Sequence, residues 1–312
     1  MVFTVNKGVI IKMNKKISVL SGFMAFTLII PSICASSENR SAECTGLKEK
    51  GNYFSAAECY SKVSLKETFA MYMKAFESKQ HTAEAAYKIG DYYYYGFLEK
   101  DEAKAIEYYK KSAGLGSGEA ARTLGKIYKY RAEVQKKYEE KDEAIKYYKL
   151  AEKLLPASER GEVCYNLGCL YDVALVDKKL RIKSYEQAYD YYLKAYNYGY
   201  YFAASALSRF YEFGTGVEKN KAKAREWLEK GAEKGNDLII KYLVEDYANG
   251  TLGKKDLLAA YVWMAVLQAK NPGDDGYKSS LKELEKKFSS AELVTARDNA
   301  AEYVGKYVKN KK

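Results

Sequence analysis

An all-α chain folded as a right-handed α/α superhelix, a solenoid of repeated helix pairs, is predicted by three observations. Only three of the 312 residues are proline, which leaves long stretches free to be helical. Tyrosine occurs 32 times, and an excess of one large residue type suggests a fixed place in a repeat. Tyrosines do recur in one context: Ile89-Gly90…Tyr93, Leu124-Gly125…Tyr128, Leu167-Gly168…Tyr171, Leu207-Ser208…Tyr211 and Leu243-Val244…Tyr247, at steps of 35, 43, 40 and 36 residues.

The chain opens with a segment of targeting composition. Lys15 and Lys16 precede an apolar run, residues 17–30, followed by Pro31 and the small residues Ala35 and Ser36. That run is about 14 residues, short of the ~20 a helix needs to cross a bilayer. Residues 1–36 therefore read as a cleaved signal peptide, with Met13 as an alternative start, and the mature chain as periplasmic or secreted, without stable membrane insertion. A lipid on Cys34 is disfavoured, because Ile33 puts a bulky residue where lipidation motifs carry a small one. Cleavage would remove four lysines and no acids, lowering the net charge from +11 to +7. The remaining lysines interleave with acids, as between Lys136 and Asp142, which describes solvated helix faces rather than a nucleic-acid footprint.

Residues 37–82 read as an N-terminal helical unit, with Gly51-Asn52-Tyr53-Phe54…Ala57…Tyr60 as the turn and second helix of a pair. Cys44 and Cys59 fall on its two antiparallel helices, where an oxidising compartment would allow a bridge to staple a marginal end repeat. Cys164 and Cys169 share one predicted helix at five residues' spacing, about 140° apart around its axis, poor geometry for a mutual bridge.

Five repeats follow, about 83–116, 117–159, 160–200, 201–236 and 237–272. Each adds to the tyrosine series a second one, an alanine three residues before an aromatic: Ala105/Tyr108, Ala144/Tyr147, Ala188/Tyr191, Ala224/Trp227 and Ala260/Trp263. Spacings of three and four place these residues on one helix face, with Lys and Glu elsewhere, so each repeat holds two helices. Gly90, Gly125 and Gly168 lack a Cβ and let the paired helix approach closely, which must offset the ~1 kcal/mol a helical glycine costs. Tyr93, Tyr128, Tyr171 and Tyr211 are expected in the core. Gly96 and Gly214 after first helices, and Gly116, Gly199 and Gly235 after second ones, are stop signals. The middle repeats, 120–199, carry Arg131 and Ala174 in place of the glycine loop and are expected to have longer first helices. Residues 273–312 read as capping helices with a basic tail, Ser290 serving as an N-cap.

The run Ala204-Ser-Ala-Leu207-Ser-Arg-Phe-Tyr211-Glu-Phe-Gly214-Thr-Gly216-Val217-Glu-Lys-Asn220…Lys223-Ala224…Trp227…Lys230-Gly-Ala232-Glu-Lys-Gly235 resembles a full Sel1-like repeat. Residues 86–116 and 240–269 resemble two more, the middle repeats drift toward tetratricopeptide (TPR) character, and 37–82 is similar to a TPR-like unit. The resemblance spans about 83–305. Cysteine-rich secreted members bridge one repeat to the next, but here Ala151 stands near the first cysteine position and Cys164 at the second, so that pattern is broken.

The resemblance implies a monomeric protein-protein interaction scaffold or adaptor holding a peptide or a partner's helix in a groove lined by first helices. Offsets of −3, +1, +4 and +5 from the small residue, as in TPR proteins, select Tyr87, Asp91, Tyr94 and Tyr95 in one repeat. They select Arg122, Lys126, Lys129 and Tyr130 in the next, then Tyr165 and Asp172, then Arg209 and Glu212. The second of these sets is basic, which points to an acidic partner.

Residues for chemistry are sparse. His81, the sole histidine, falls at a helix start away from cysteine or carboxylate sets, so metal and Ser-His-Asp sites lack ingredients and no cofactor is expected. Gly214-Thr-Gly216 lacks a phosphate loop's Gly-Lys-Ser/Thr ending, and Asp274-Asp275-Gly276 the rest of a calcium loop. Some Sel1-like proteins are β-lactamase-like, and Ser279-Ser280-Leu281-Lys282 matches a serine-lysine motif. Its companions Ser-Asp-Asn and Lys-Thr-Gly are absent, leaving a cell-wall-related hydrolase as the alternative reading.

Overall fold

Helices make up nearly all of what the computed structural model describes, residues 40–172 and 178–309. Residues 1–36, read above as a signal peptide, with Cys34, the loop residue Ala174 and residues 310–312 lie outside the described residues. The chain divides into two units, residues 1–108 and 109–312.

The first unit holds α1 (40–49), α2 (Tyr53–Tyr60), α3 (Leu65–Glu77), α4 (Thr82–Tyr95) and the start of α5 (Glu102–Gly114). Gly51, at φ +75°, turns the chain between α1 and α2. That turn is held by Gln80, whose Nε2 donates to the Gly51 carbonyl at 2.7 Å and whose Oε1 accepts from the Tyr53 amide at 2.9 Å. Cys44 on α1 and Cys59 on α2 are bonded, with Cα atoms 5.4 Å apart. Segment 37–82 contains a third helix that the paired reading did not provide: α2 packs on α3, and α3 on α4. Its start is marked by Ser64, whose side chain accepts from the Glu67 amide, and it buries Thr68, Met71, Tyr72 and Ala75 on one stripe.

The second unit continues from Tyr109 through α6 (Gly118–Glu133), α7 (Lys141–Leu154), α8 (Arg160–Tyr171), α9 (Lys178–Asn197), α10 (Ala203–Phe213), α11 (Lys221–Glu233), α12 (Asp237–Asn249) and α13 (Leu257–Lys270). The helices pair as α6/α7, α8/α9, α10/α11 and α12/α13, and each second helix also packs on the next first helix, so the pairs stack in sequence order. Ser117, Asn220, Asn236 and Asp256 begin their helices by accepting the backbone N–H three residues on. Gly96, Gly116, Gly199, Gly214 and Gly235 all have φ between +70° and +95°, the left-handed backbone expected at these stops.

The longer-first-helix expectation holds for α6, at 16 residues, and fails for α8, at 12. The extra length of that repeat goes into α9, 20 residues long, and α8 ends where the Ser184 hydroxyl donates to the Tyr171 carbonyl. Nor are the marked tyrosines uniformly buried. Tyr128 is, whereas Tyr93, Tyr171 and Tyr211 are half-buried, and the fully buried rings are their neighbours in the second series, Tyr109, Tyr148 and Tyr192. Each half-buried tyrosine joins two helix pairs. Tyr171 stacks on Tyr191 of its own repeat, centroids 5.6 Å apart, while Lys149 of the preceding repeat lies 5.6 Å over its ring. Tyr128 repeats this with Tyr147 and Lys110, and the Tyr247 hydroxyl donates to Glu229 of the preceding pair at 2.5 Å.

Two helices, α14 (Asp275–Glu285) and α15 (Ser290–Val304), and a final turn Gly305–Lys309 close the unit on α13. Trp263 packs against Tyr303 and Tyr307 at 5.6 and 5.2 Å. The N-cap of α15 is Ser289 rather than Ser290, because only from 289 does Glu292 stand at the third position to complete a capping box. Asp274 is the N-cap of α14, accepting from the Gly276 and Tyr277 amides.

Candidate functional site

The recurring small residue sets which way each first helix faces. A Cβ on Gly125 would meet the Tyr148 ring at 2.7 Å, and one on Gly168 the Tyr192 ring at 2.6 Å, so this face of α6 and α8 is pressed against its pair. Offsets −3, +1, +4 and +5 then turn away from that contact. In the last three repeats some of them converge on a cleft of about 470 Å³ in the second unit. Tyr165 and Ser205 enter at −3, Arg209 and Glu245 at +1, Glu212 at +4, and Phe213 and Asn249 at +5. Tyr165, Arg209 and Glu212 are thus brought together as selected. Ser205, Phe213, Glu245 and Asn249 follow from the same rule carried to positions not selected at first. Tyr242, on α12 itself, lies off the rule, as do Thr251 and Leu252, which join because the loop after α12 folds back.

That loop is held by a buried carboxylate. Asp246, 4% exposed, accepts from the Arg225 Nε at 2.5 Å and from the Leu252 amide at 2.6 Å. The Arg225 guanidinium also lies 4.7 Å over the Tyr247 ring and donates to the Lys254 carbonyl at 3.1 Å. A charge taken out of water is tolerated when its partners are this complete. On the opposite wall the Tyr192 hydroxyl donates to Asp172 at 3.1 Å, and Arg209 pairs with the same carboxylate. Burial pushes the Tyr192 phenol well above its ordinary range, so it remains a neutral donor. At the mouth, Phe213 is 64% exposed and Tyr242 41%, large apolar side chains left open to solvent.

The remaining candidates lie elsewhere. Tyr87, Asp91 and Tyr94 are half-buried and Tyr95 exposed in the first unit, Tyr94 and Tyr95 meeting edge to face at 5.2 Å. In the second unit Arg122 reaches Glu119 and lies 3.8 Å from Glu159, and Lys126 pairs with Glu162 at 2.9 Å. Lys129 donates to the Asn166 side chain at 2.7 Å, and Tyr130 is exposed. The basic set expected around α6 is therefore largely neutralised, by acids of α6 itself and by Glu159 and Glu162, which stand more than thirty residues on in the sequence.

A family model, Sel1 repeat, matches residues 83–117, 118–154, 161–200 and 196–236. Four Sel1 repeats thus lie within residues 83–236. Its curated relative, the chitin synthase regulator SKT5 of Saccharomyces cerevisiae, is 29% identical over 187 residues, 58% of this chain and 25% of that protein. The chain thus spans about a quarter of that relative's length. Two solved structures share the fold. One is a protective antigen of uropathogenic Escherichia coli displaying an SLR fold: TM-score 0.57, 22% identity, 82% of this chain and 53% of that one. The other is a Sel1 repeat protein from Oxalobacter formigenes: TM-score 0.51, 23% identity, 84% and 98%. The all-α stack of Sel1-like helix pairs is thereby shown, and the family is one of protein-interaction scaffolds.

In the Sel1-repeat frame the cleft lies between the fourth helix pair and the pair α12/α13, of which only the latter is beyond the matched residues. The serine-lysine motif does not line it: Ser279 and Lys282 are exposed on α14. His81 is exposed, stacked on Phe54 with centroids 4.6 Å apart. Among the described residues no three His, Cys, Asp or Glu side chains gather to hold a metal ion, and no helix is long and apolar enough to cross a membrane. Of the unpaired cysteines, Cys164 is buried and Cys169 half-buried.

Proposed function

We propose that this Sel1-repeat chain is an exported scaffold or adaptor that holds an extended peptide or a partner's helix in the cleft between α10 and α12. The observation that carries the reading is the exposure of Phe213 and Tyr242 beside a cleft with fixed walls. Exposed aromatics over a preorganised, concave surface are the residues that most often anchor a partner. Support comes from the family's general role and from the yeast relative, a chitin synthase regulator, which acts through another protein. Export rests on the composition of residues 1–36.

The experiment is site-specific photo-crosslinking in the organism that makes the protein. A photoreactive phenylalanine at position 213 is expected to give discrete protein adducts, and one at Val294, exposed on α15, none. Equal labelling from both positions, or none from 213, would overturn the reading. Fractionation of the same cells tests export, with a chain retained in the cytoplasm as the contrary result.

A further inference from the structure

The charges of the cleft are unequal in a way that specifies its occupant. Four charged residues line it: Arg209, Glu212, Glu245 and Asp246. Two are already satisfied, Arg209 by Asp172 and Asp246 by Arg225 and the Leu252 amide. Glu212 on α10 and Glu245 on α12 have no ion-pair partner among the described residues. The cleft thus presents two unopposed carboxylates in a chain whose net charge is +11. Glu212 is half-buried and Glu245 exposed; like charges lining one cleft repel, and a cation placed between them offsets that repulsion.

The exposed rings supply the second half of the argument. Phe213 adjoins Glu212 in sequence, and Tyr242 lies one helical turn before Glu245. An aromatic face attracts a lysine or arginine head, and its edge accepts the apolar stem of the same side chain. The basic set on α6 does not offer the reverse polarity, because Arg122 and Lys126 are held by Glu119 and Glu162.

We infer that the segment taken by this cleft is basic, with a lysine or arginine side chain set between Glu212 and Glu245 and an apolar neighbour against Phe213 and Tyr242. The inference rests on the proposed reading of the cleft as a peptide site. It replaces the acidic partner that the lysines of the second repeat suggested.

The test is selection of peptides from a phage-displayed random dodecamer library on the full chain, followed by fluorescence polarisation with the synthetic peptides. Selected peptides should carry Lys or Arg beside an aromatic or aliphatic residue. Their affinity should fall on the order of tenfold in the variant with both Glu212→Gln and Glu245→Gln, and fall with added salt. Both positions are accessible and the exchanges nearly isosteric, so an unchanged melting temperature shows that the variant folds. Peptides that lose binding with Phe213→Ala and Tyr242→Ala, yet carry no basic residue and ignore the glutamine variant, would overturn the inference and leave the peptide site standing. Peptides indifferent to all four substitutions, or no selected peptides, would overturn both.

Discussion

The ring of Tyr192 lies against the bare Cα of Gly168, so closely that a Cβ there would fall 2.6 Å from two ring carbons. Tyr148 and Gly125 repeat the relationship one helix pair earlier, at 2.7 Å. The obstructing atoms belong to the base and body of a fully buried ring, which has little room to give.

Gly168→Ala should therefore destabilise the chain, although alanine is the better helix former. Overpacking costs about 1–3 kcal/mol against the ~1 kcal/mol gained in propensity, for a net loss of up to about 2 kcal/mol. Urea melts would show it as a lower midpoint. Gly273→Ala, where an added Cβ meets nothing within 4 Å, is the control and should leave the midpoint in place.

Asp246 is the substitution with the largest expected cost. Asp246→Ala strands the Arg225 guanidinium and frees the Leu252 amide, which predicts a loss of about 3–5 kcal/mol. The exposed Arg209→Ala should cost under about 1 kcal/mol. Equal melting temperatures for the two variants would show that the buried pair does not hold the cleft wall.

The Cys44–Cys59 bridge closes a loop of sequence separation 15. Replacing both residues by serine should cost about 3 kcal/mol in the chain-entropy account. The loss should appear first in α1 and α2, as faster hydrogen exchange there than in α12 and α13. A uniform change, or none, would contradict a local staple.

Burial pushes the Cys164 thiol up to about 12, with the negative charge of Glu152 adding to it. At pH 8 the thiol is thus neutral, and iodoacetamide followed by peptide mapping should leave Cys164 unmodified until the chain is unfolded. Modification of Cys164 at the rate of an exposed thiol would show that α8 is not packed as described.

Burial likewise raises the phenols of Tyr148 and Tyr192 above the ordinary 10.0. A group whose folded pKa exceeds its unfolded one gives stability that is complete below the unfolded value and lost as pH climbs above it. The chain should hold its stability up to about pH 10 and lose it progressively beyond. The last tyrosinate absorbance should appear together with the loss of helical circular dichroism. Complete titration of all tyrosines in a still-helical chain would refute the packing of those two rings.

Much of this was legible in the residues themselves. Periods of 35 to 43, small residues before tyrosines and glycines after helices are local signals, because helix faces and left-handed stops are set by neighbours within one or two turns. Ser64 and Glu67 mark the start of α3 in the same local way, though α3 stands outside the tyrosine register. The capping box that fixes Ser289 was also present as letters.

By itself, then, the sequence determined the helix pairs, their order and the faces they turn inward, because these depend on spacing along one chain. Tertiary structure alone decided the sign and place of the candidate site. Lys126 reads as a free cation until α8 sets Glu162 2.9 Å from it. Asp246 reads as a surface acid until α11 supplies Arg225. Glu212 and Glu245, 33 positions apart, share a cleft only once α10 and α12 stand in successive pairs. Which charges cancel depends on distances across the stack, and these do not exist until the helices have packed.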